Sequence, residues 1–235
     1  MDIDTLQLLR LLQLADSALP IGSTAHSFGL ETLVEEGTLR VEQLEIFLQG
    51  YLAEAGTLEA AFCRRSYALS AQIATATFEE QWLALNNELS AFKTARESRV
   101  ASATLGRRFL QLVAGLEESA RLQQVLRAAK SQGVEVHYSI AFGLVGRHLG
   151  VAETATVLAY LQQSLMGLVS TCQRLLPLGQ SQASAILWQL KTALIETAHT
   201  SEDLDTHPQD STVFTPQLDI GSMRHPGLET RLFIS

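Results

Sequence analysis

The sequence predicts an all-α protein, a single-domain bundle of about ten helices with an extended C-terminal tail. Apolar residues recur at three- and four-residue spacing along most of the chain, which is typical of helices that pack one face against a core. No stretch alternates apolar and polar residues for long enough to require a sheet. With 46% hydrophobic and 18% charged residues among 235, the chain can bury a large core. We expect a helical domain over residues 1–200 and a linker and tail over residues 201–235.

Helical spacing of leucine and aromatic residues defines the elements in chain order. The predicted helices cover Thr5–Ala15, a segment reaching Val34, Val41–Tyr67, Phe78–Phe92, a run beyond Thr94, Glu117–Lys130, Ser139–Leu149, Val151–Leu176 and Ser181–Ala198.

Individual polar residues and glycines refine these elements. Ser23, Thr24 and Ser27 are candidate N-caps of the second helix, because their side chains accept hydrogen bonds from free backbone N–H groups. Gly56 is expected to divide the third range into two helices. Glu117–Lys130 and the helix after it are predicted to be amphipathic surface helices.

A short break separates the two longest predicted helices, at Arg174–Gln182. Pro177 lacks an N–H and clashes with the preceding turn, and Gly179 commonly begins or ends a helix. Together they predict a corner that sets the angle between the two helices. We expect a neighbouring element or a partner to satisfy the amides of Gln180 and Gln182.

The last segment differs from the rest of the chain. Ser201–Asp210 is acidic and contains Pro208, which predicts an extended linker. The residues after it are apolar without helical spacing, so we expect them to be buried against the domain or against a partner; they are Phe214, Leu218, Ile220, Met223, Leu228, Leu232 and Phe233.

The charge balance excludes some classes of function. There are 17 basic and 25 acidic residues, a formal net charge of −8, which argues against nucleic acid and against a charged membrane surface as partners. No glycine directly precedes Lys93, Lys130 or Lys191, so a phosphate-binding loop is not predicted. The acidic Met1–Asp4 does not resemble a secretory signal, and we expect a cytoplasmic protein.

Metal and thiol chemistry are not predicted either. Cys63 and Cys172 lie in apolar helical patterns, which favours buried thiols. His137 and His148 are eleven residues apart, about 16 Å along a helix, too far for one ion. The other four histidines are isolated in the sequence, and we expect surface or hydrogen-bonded side chains. A site shared between two chains remains open.

Ser181 offers one enzymatic alternative. Gly179–Ala183 is one residue away from the G-x-S-x-G pattern of a nucleophilic serine, but a helix and Pro177 precede it where that pattern requires a strand. Ser181 is more consistent with a helix N-cap. A helical hydrolase using Ser181 therefore stands as the alternative function.

Three stretches together resemble the urease accessory protein F family (UreF). They are Leu12–Glu31, the corner with the helix before it, and the ending from His225. Arg96-Glu97-Ser98 is a weaker match. Thr24, Pro226 and Ile234 depart from the family pattern, which has an aromatic residue, Glu and Arg there. The residues that the resemblance suggests for partner binding are Pro20, Gly22, His26, Ser27, Gly29, Leu30, Glu31, Pro177, Leu178, Gly179, Gln180, His225, Arg231, Leu232, Phe233 and Ser235.

This resemblance implies a non-catalytic cytoplasmic protein without a cofactor or metal of its own. Members dimerise, bind the accessory protein UreD/UreH, recruit the GTPase UreG and dock on urease apoprotein during nickel insertion. The tail from Phe214 to Ser235 is then expected to bind the UreD/UreH-type partner, with the Pro20–Glu31 segment second. A helical scaffold unrelated to urease is the remaining alternative.

Overall fold

Helices form the regular structure of the chain in the computed structural model, which describes residues 4–206 and 216–235. No strand occurs in these ranges, so the all-α prediction is confirmed. The helices are α1 (Thr5–Leu14), α2 (Leu30–Glu35), α3 (Leu44–Tyr51), α4 (Thr57–Leu69), α5 (Phe78–Phe92), α6 (Arg96–Leu116), α7 (Ala120–Gln132), α8 (Tyr138–His148), α9 (Glu153–Leu175), α10 (Gln180–Gln189), α11 (Lys191–Thr206) and α12 (Pro216–Arg224).

Helix α8 lies at the centre of the bundle, packed between α4 and α6. Every residue from Tyr138 to Gly146 is buried. Gly143 allows the close approach to α4, because a Cβ there would lie 2.1 Å from the Cys63 carbonyl oxygen. The prediction of a surface helix here is therefore wrong. A helix that is apolar on all sides belongs in the interior.

An aromatic cluster joins α6, α8 and α9 within this core. The rings of Phe109 and Phe142 stack with centroids 5.1 Å apart, and Tyr138 meets Phe142 edge to face at 5.9 Å. Both cysteines are buried and free, as expected. Burial raises the pKa of the Cys172 thiol to about 12, so this thiol stays protonated at neutral pH.

Helix α11 is anchored to α4 by a buried arginine. Arg64 donates to the Ser201 hydroxyl at 2.9 Å and to the Ala198 carbonyl at 2.8 Å, and it pairs with Glu153 at 2.6 Å. Because α11 continues to Thr206, the predicted extended linker is wrong for residues 201–206. Residues 207–210 lie outside the described ranges.

Three further boundaries differ from the sequence prediction. The helix predicted over Ser181–Ala198 is divided at Leu190 into α10 and α11. At Gly56 the chain does not break but passes through a π-helical turn, Leu52–Gly56, into α4. The tail is not fully extended, because Pro216–Arg224 forms α12, which packs on α2 and α6. No helix among the described residues is long and apolar enough to cross a membrane.

Candidate functional site

The segment Pro20–Glu31 leads into α2, and its backbone adopts left-handed conformations where it meets the C-terminal tail. Phe28 and Gly29 have φ angles of 53° and 89°, and glycine adopts such angles without a Cβ penalty. A Cβ on Gly29 would lie 2.6 Å from the Leu218 carbonyl oxygen and 2.8 Å from the Ser222 nitrogen. Gly29 therefore lets the backbone of α12 lie directly against the start of α2.

The same segment is held on its other side by α6. Gly22 has a φ of 84°, and the Arg108 guanidinium covers it while donating to the Ile21 carbonyl oxygen at 3.2 Å. Pro20 is exposed and Leu30 is fully buried. The segment is thus fixed between α6 and the tail.

Helix α2 begins differently from the prediction. Gly29 is its N-cap, with no side-chain cap, so Ser23, Thr24 and Ser27 are wrong as predicted caps. Ser27 is buried, and its backbone N–H donates instead to the carbonyl oxygen of Ser235. Ser27, which was a candidate cap, instead pairs this segment with the tail through its backbone.

Glu31 is the centre of that pairing. This buried carboxylate accepts the backbone N–H of Leu232 at 2.5 Å and that of Phe233 at 3.2 Å. Its Oε2 also lies 2.7 Å from Nε2 of His225. Hydrogen bonds to an ionised acceptor are about twice as strong as neutral ones. Glu31 therefore holds the tail at two separate points.

His225 bridges two carboxylates. Its Nδ1 lies 2.8 Å from Oε2 of Glu97 while its Nε2 faces Glu31, and the imidazole is fully buried. A neutral imidazole has one N–H and can donate to only one carboxylate. Two short contacts to carboxylates therefore require an imidazolium, or a proton on one carboxyl group. The cluster links the tail to both α2 and α6.

The last residues continue along the same segment. The Ile234 N–H donates to the Ala25 carbonyl oxygen at 2.9 Å, and His26 Nδ1 lies 2.7 Å from the Ser235 hydroxyl. Burial, and then the charge of Arg108, lowers the pKa of His26 below its usual value. His26 is accordingly a neutral imidazole at pH 7. We call residues 20–31 and 225–235, where they meet, the junction.

Arg174, the last basic residue of α9, connects the corner to the junction. Its guanidinium carbon lies 4.2 Å from the centre of the Phe233 ring, a cation–π arrangement. Its Nη1 donates to the Thr24 carbonyl oxygen at 2.7 Å. Sequence analysis identified the stretch but not this contact, which depends on residues far apart in the chain.

The corner itself contributes little to the junction. Leu178 is buried, whereas Pro177, Gly179 and Gln180 are exposed. Gly179 is the N-cap of α10, so the prediction of Ser181 as the cap is wrong. Ser181 is exposed, and no hydrogen bond to its side chain occurs within residues 4–206 and 216–235. The corner carries neither a buried polar cluster nor a nucleophile–base pair among the described residues.

The tail divides its side chains between the core and the solvent. Phe233 is 4% exposed, while Leu232 and Ile234 on either side are 62% and 71% exposed. Arg231 is also exposed. Met223 and Ile220 of α12 add two further exposed apolar side chains. The tail therefore presents a fixed apolar surface to the outside.

Glu97 and Ser98 belong to the site although they were only a weak match in the sequence. Glu97 holds His225, and the Ser98 hydroxyl donates to the Ser222 hydroxyl at 2.8 Å. Their helix, α6, is far from the tail in sequence, so periodicity gives no signal for these contacts.

The remaining histidines are dispersed. His137 is buried between the hydroxyls of Ser90 and Ser102, at 2.7 Å and 3.1 Å, and burial lowers its pKa to about 4. His148 and His199 are exposed, and His207 lies outside the described residues. Within the described ranges no group of three His, Cys, Asp or Glu side chains is arranged to hold a metal ion.

Comparison with known proteins identifies close relatives. The UreF family model matches residues 40–191. Urease accessory protein UreF from Nostoc sp. is 35% identical over 240 residues, covering 100% of both chains. The proteins of the same name from Geobacillus kaustophilus and Actinobacillus pleuropneumoniae are 33% and 32% identical, each over 97% of this chain and 98% and 99% of their own lengths. The similarity thus includes both parts of the junction.

Proposed function

Because this chain belongs to the UreF family of urease accessory proteins, we propose that it is a non-catalytic, cytoplasmic subunit of the complex that matures urease. In this proposal it joins a UreD/UreH-type accessory protein to the GTPase UreG while nickel is inserted into urease apoprotein. It forms a homodimer within the complex. The chemistry is carried out by its partners.

The tail surface of the junction is the proposed contact for the UreD/UreH-type partner. The observation that carries this assignment is the alternation of buried Phe233 and Ser235 with exposed Leu232 and Ile234. Successive side chains of an extended segment point to opposite sides, so anchoring one set orients the other. An apolar surface that is already fixed loses little conformational entropy when it binds.

Substitution of the outward residues tests the assignment. We expect Leu232→Glu with Ile234→Glu to reduce binding of the UreD/UreH-type protein at least tenfold, because buried carboxylates would be unpaired in the interface. Neither side chain supports the core, so the helical content and melting temperature should stay near those of the parent. Affinity would be measured by titration calorimetry, and urease activation in a reconstituted assay.

Ile46 on α3 provides a matched control, since it is also 71% exposed and lies outside the junction. Ile46→Glu should bind the partner normally. Equal affinity of the tail double variant and the parent would contradict the assignment, as would co-purification of the partner with a chain truncated after Asp210.

The order of assembly tests the bridging role. Mixtures of this chain with UreG alone, and with UreG plus the UreD/UreH-type protein, would be analysed by size-exclusion chromatography with light scattering. We expect UreG to join only the ternary mixture, and the measured mass to correspond to two copies of this chain. UreG that binds the partner equally well without this chain would contradict the proposal.

A further inference from the structure

A cavity of about 140 Å³ lies beneath the junction. Glu59 of α4 and Gln163 of α9 line it, as do His26, Phe28 and Leu218. A cavity of roughly 150 Å³ accommodates a benzene-sized molecule. The size of the void therefore suits a ligand with a single ring.

The walls are mainly aromatic and aliphatic. Flat faces and edges of this kind favour an aromatic ring, because stacked and edge-to-face contacts add to the hydrophobic gain. The apolar and aromatic residues that line the cavity are Phe28, Tyr51, Leu58, Phe92, Leu105, Tyr138, Tyr160, Leu168 and Leu218.

Gln163 provides a polar group that faces the cavity. Its residue is 2% exposed, and its side-chain amide makes no hydrogen bond to the part of the chain that the structure describes. A primary amide has two N–H donors and one carbonyl acceptor. Because this amide faces the cavity, water can pair with it when no ligand is bound. A ligand that both donates and accepts would satisfy it.

Glu59 supplies a second polar group next to the same cavity. It is ion-paired with Lys93 and accepts the Tyr160 hydroxyl at 3.2 Å. A carboxylate offers about four lone-pair sites, so Glu59 retains capacity for a ligand N–H. Because Glu59 and Lys93 already balance each other, an anionic ligand would enter without a counter-ion, which is strongly unfavourable. His26 is neutral, and Asp219 on α12 opposes an anion further.

We propose that this cavity binds an uncharged compound with a single aromatic ring and a primary amide, with the ring between the aromatic walls and the amide paired to Gln163 and Glu59. This site is separate from the proposed partner surface, which consists of residues on the outside of the tail. Since the Ser23–Phe28 segment and α12 form part of the wall, the bound compound stabilises the junction from beneath.

Benzamide is the probe for the full-length chain. We expect saturable binding by titration calorimetry and saturation-transfer NMR, and a rise in the melting temperature with benzamide concentration. Benzoate should bind at least tenfold more weakly, because it carries a negative charge. Absence of saturable benzamide binding up to millimolar concentration, meaning a cavity occupied only by water, would overturn the proposal.

Two substitutions locate the binding. Gly167→Leu should weaken benzamide at least tenfold, because Gly167 lines the cavity and no atom lies within 4 Å of an added Cβ. Gly115→Leu on α6 is the matched control, since that helical glycine is also unobstructed but does not line the cavity. Gln163→Leu should favour toluene over benzamide, reversing the preference of the parent chain. Unchanged benzamide affinity in both cavity variants would place the binding elsewhere and overturn the assignment.

Discussion

At the junction, Glu31 and His225 are buried and each contacts more than one partner, whereas at the corner Pro177 and Gly179 are exposed and leucine side chains alone reach the core. Both regions belong to the resemblance that the sequence shows to the UreF family. Their physical roles differ, because the junction depends on specific polar contacts and the corner on apolar side chains and backbone geometry. A motif in the sequence therefore does not reveal by itself whether its residues are buried and paired or exposed.

The difference also concerns tolerance to substitution. A buried carboxylate that loses a partner cannot be hydrated, so the remaining groups stay unpaired. An exposed proline or glycine in an ordinary backbone conformation has no such constraint. Comparable variants at the junction and at the corner should thus differ by several kcal/mol in the free energy of unfolding.

The largest effect is expected for Glu31→Ala. It removes one of the two carboxylates of His225 and leaves the backbone N–H groups of Leu232 and Phe233 without an acceptor. We expect a loss of about 3–5 kcal/mol, measured by urea denaturation. Glu36→Ala is the control, because the exposed Glu36–Arg224 pair should contribute less than about 1 kcal/mol. Similar losses for the two variants would mean that burial at Glu31 has no energetic consequence.

The second effect compares two glycines. Gly29→Ala combines left-handed strain of roughly 1 kcal/mol with overlap against the backbone of α12, and we expect a total loss of about 2–4 kcal/mol. Gly179 has a φ of −71° and nothing within 4 Å of an added Cβ. Gly179→Ala should change stability by less than about 1 kcal/mol. Equal melting temperatures for these variants would contradict the contrast between the two regions.

The helices could largely be predicted from the sequence, because an apolar face repeats for many turns in α1, α5, α6 and α9. The division at Leu190 could not, since neither proline nor glycine marks it. The helix at Pro216 had a usable signal, because proline is favoured at the first helical position, but the apolar spacing around it is irregular. Burial of α8 follows from its lack of a polar face, which its sequence does show.

The site was less predictable than the fold. The candidate residues at both ends of the chain follow from the family resemblance, but the pairing of Glu31 with His225 joins positions 194 residues apart. Local spacing contains no information on such a contact. His225 is isolated in the sequence and fully buried in the structure, because two carboxylates from other elements converge on it.

A smaller effect is expected for Arg174→Ala, which removes the contacts that Arg174 makes between the corner and the junction. The variant loses the cation–π contact with Phe233 and the hydrogen bond to the Thr24 carbonyl oxygen. Because Arg174 is exposed, the loss should be about 1 kcal/mol. Arg174→Lys should restore part of it, since lysine keeps the charge but not the planar guanidinium. Thermal denaturation of both variants measures the difference in the free energy of unfolding. A loss of about 3 kcal/mol for Arg174→Ala, as large as that expected for a buried junction residue, would contradict the contrast between the two regions.

Part of the pH dependence should originate at the junction, in addition to that of His137 in the core, whose pKa of about 4 acts in the same direction. An unfolded histidine has a pKa of about 6.5, and burial lowers the folded pKa of His26, so the unfolded chain binds more protons. Titration of His26 therefore leaves the free energy of unfolding unchanged well above pH 6.5. It lowers the free energy of unfolding as the pH falls through 6.5 towards the folded pKa. His26→Asn should therefore show a shallower loss of stability between pH 7 and pH 5. His199→Asn, at an exposed histidine, serves as the control, and parallel curves for His26→Asn and the parent would contradict the assignment.

The smallest effect is expected at the corner, for Ser181→Ala. Ser181 is exposed and does not cap α10, whose N-cap is Gly179, so no buried group loses a partner and the change in stability should be within about 0.5 kcal/mol. Alanine also has the higher helix propensity, which favours a slight gain. The same variant separates the proposed function from the hydrolase alternative, because a nucleophilic serine is indispensable to a hydrolase. Full activation of urease by Ser181→Ala in the reconstituted assay is the expected result, and loss of activation with intact partner binding would favour the hydrolase.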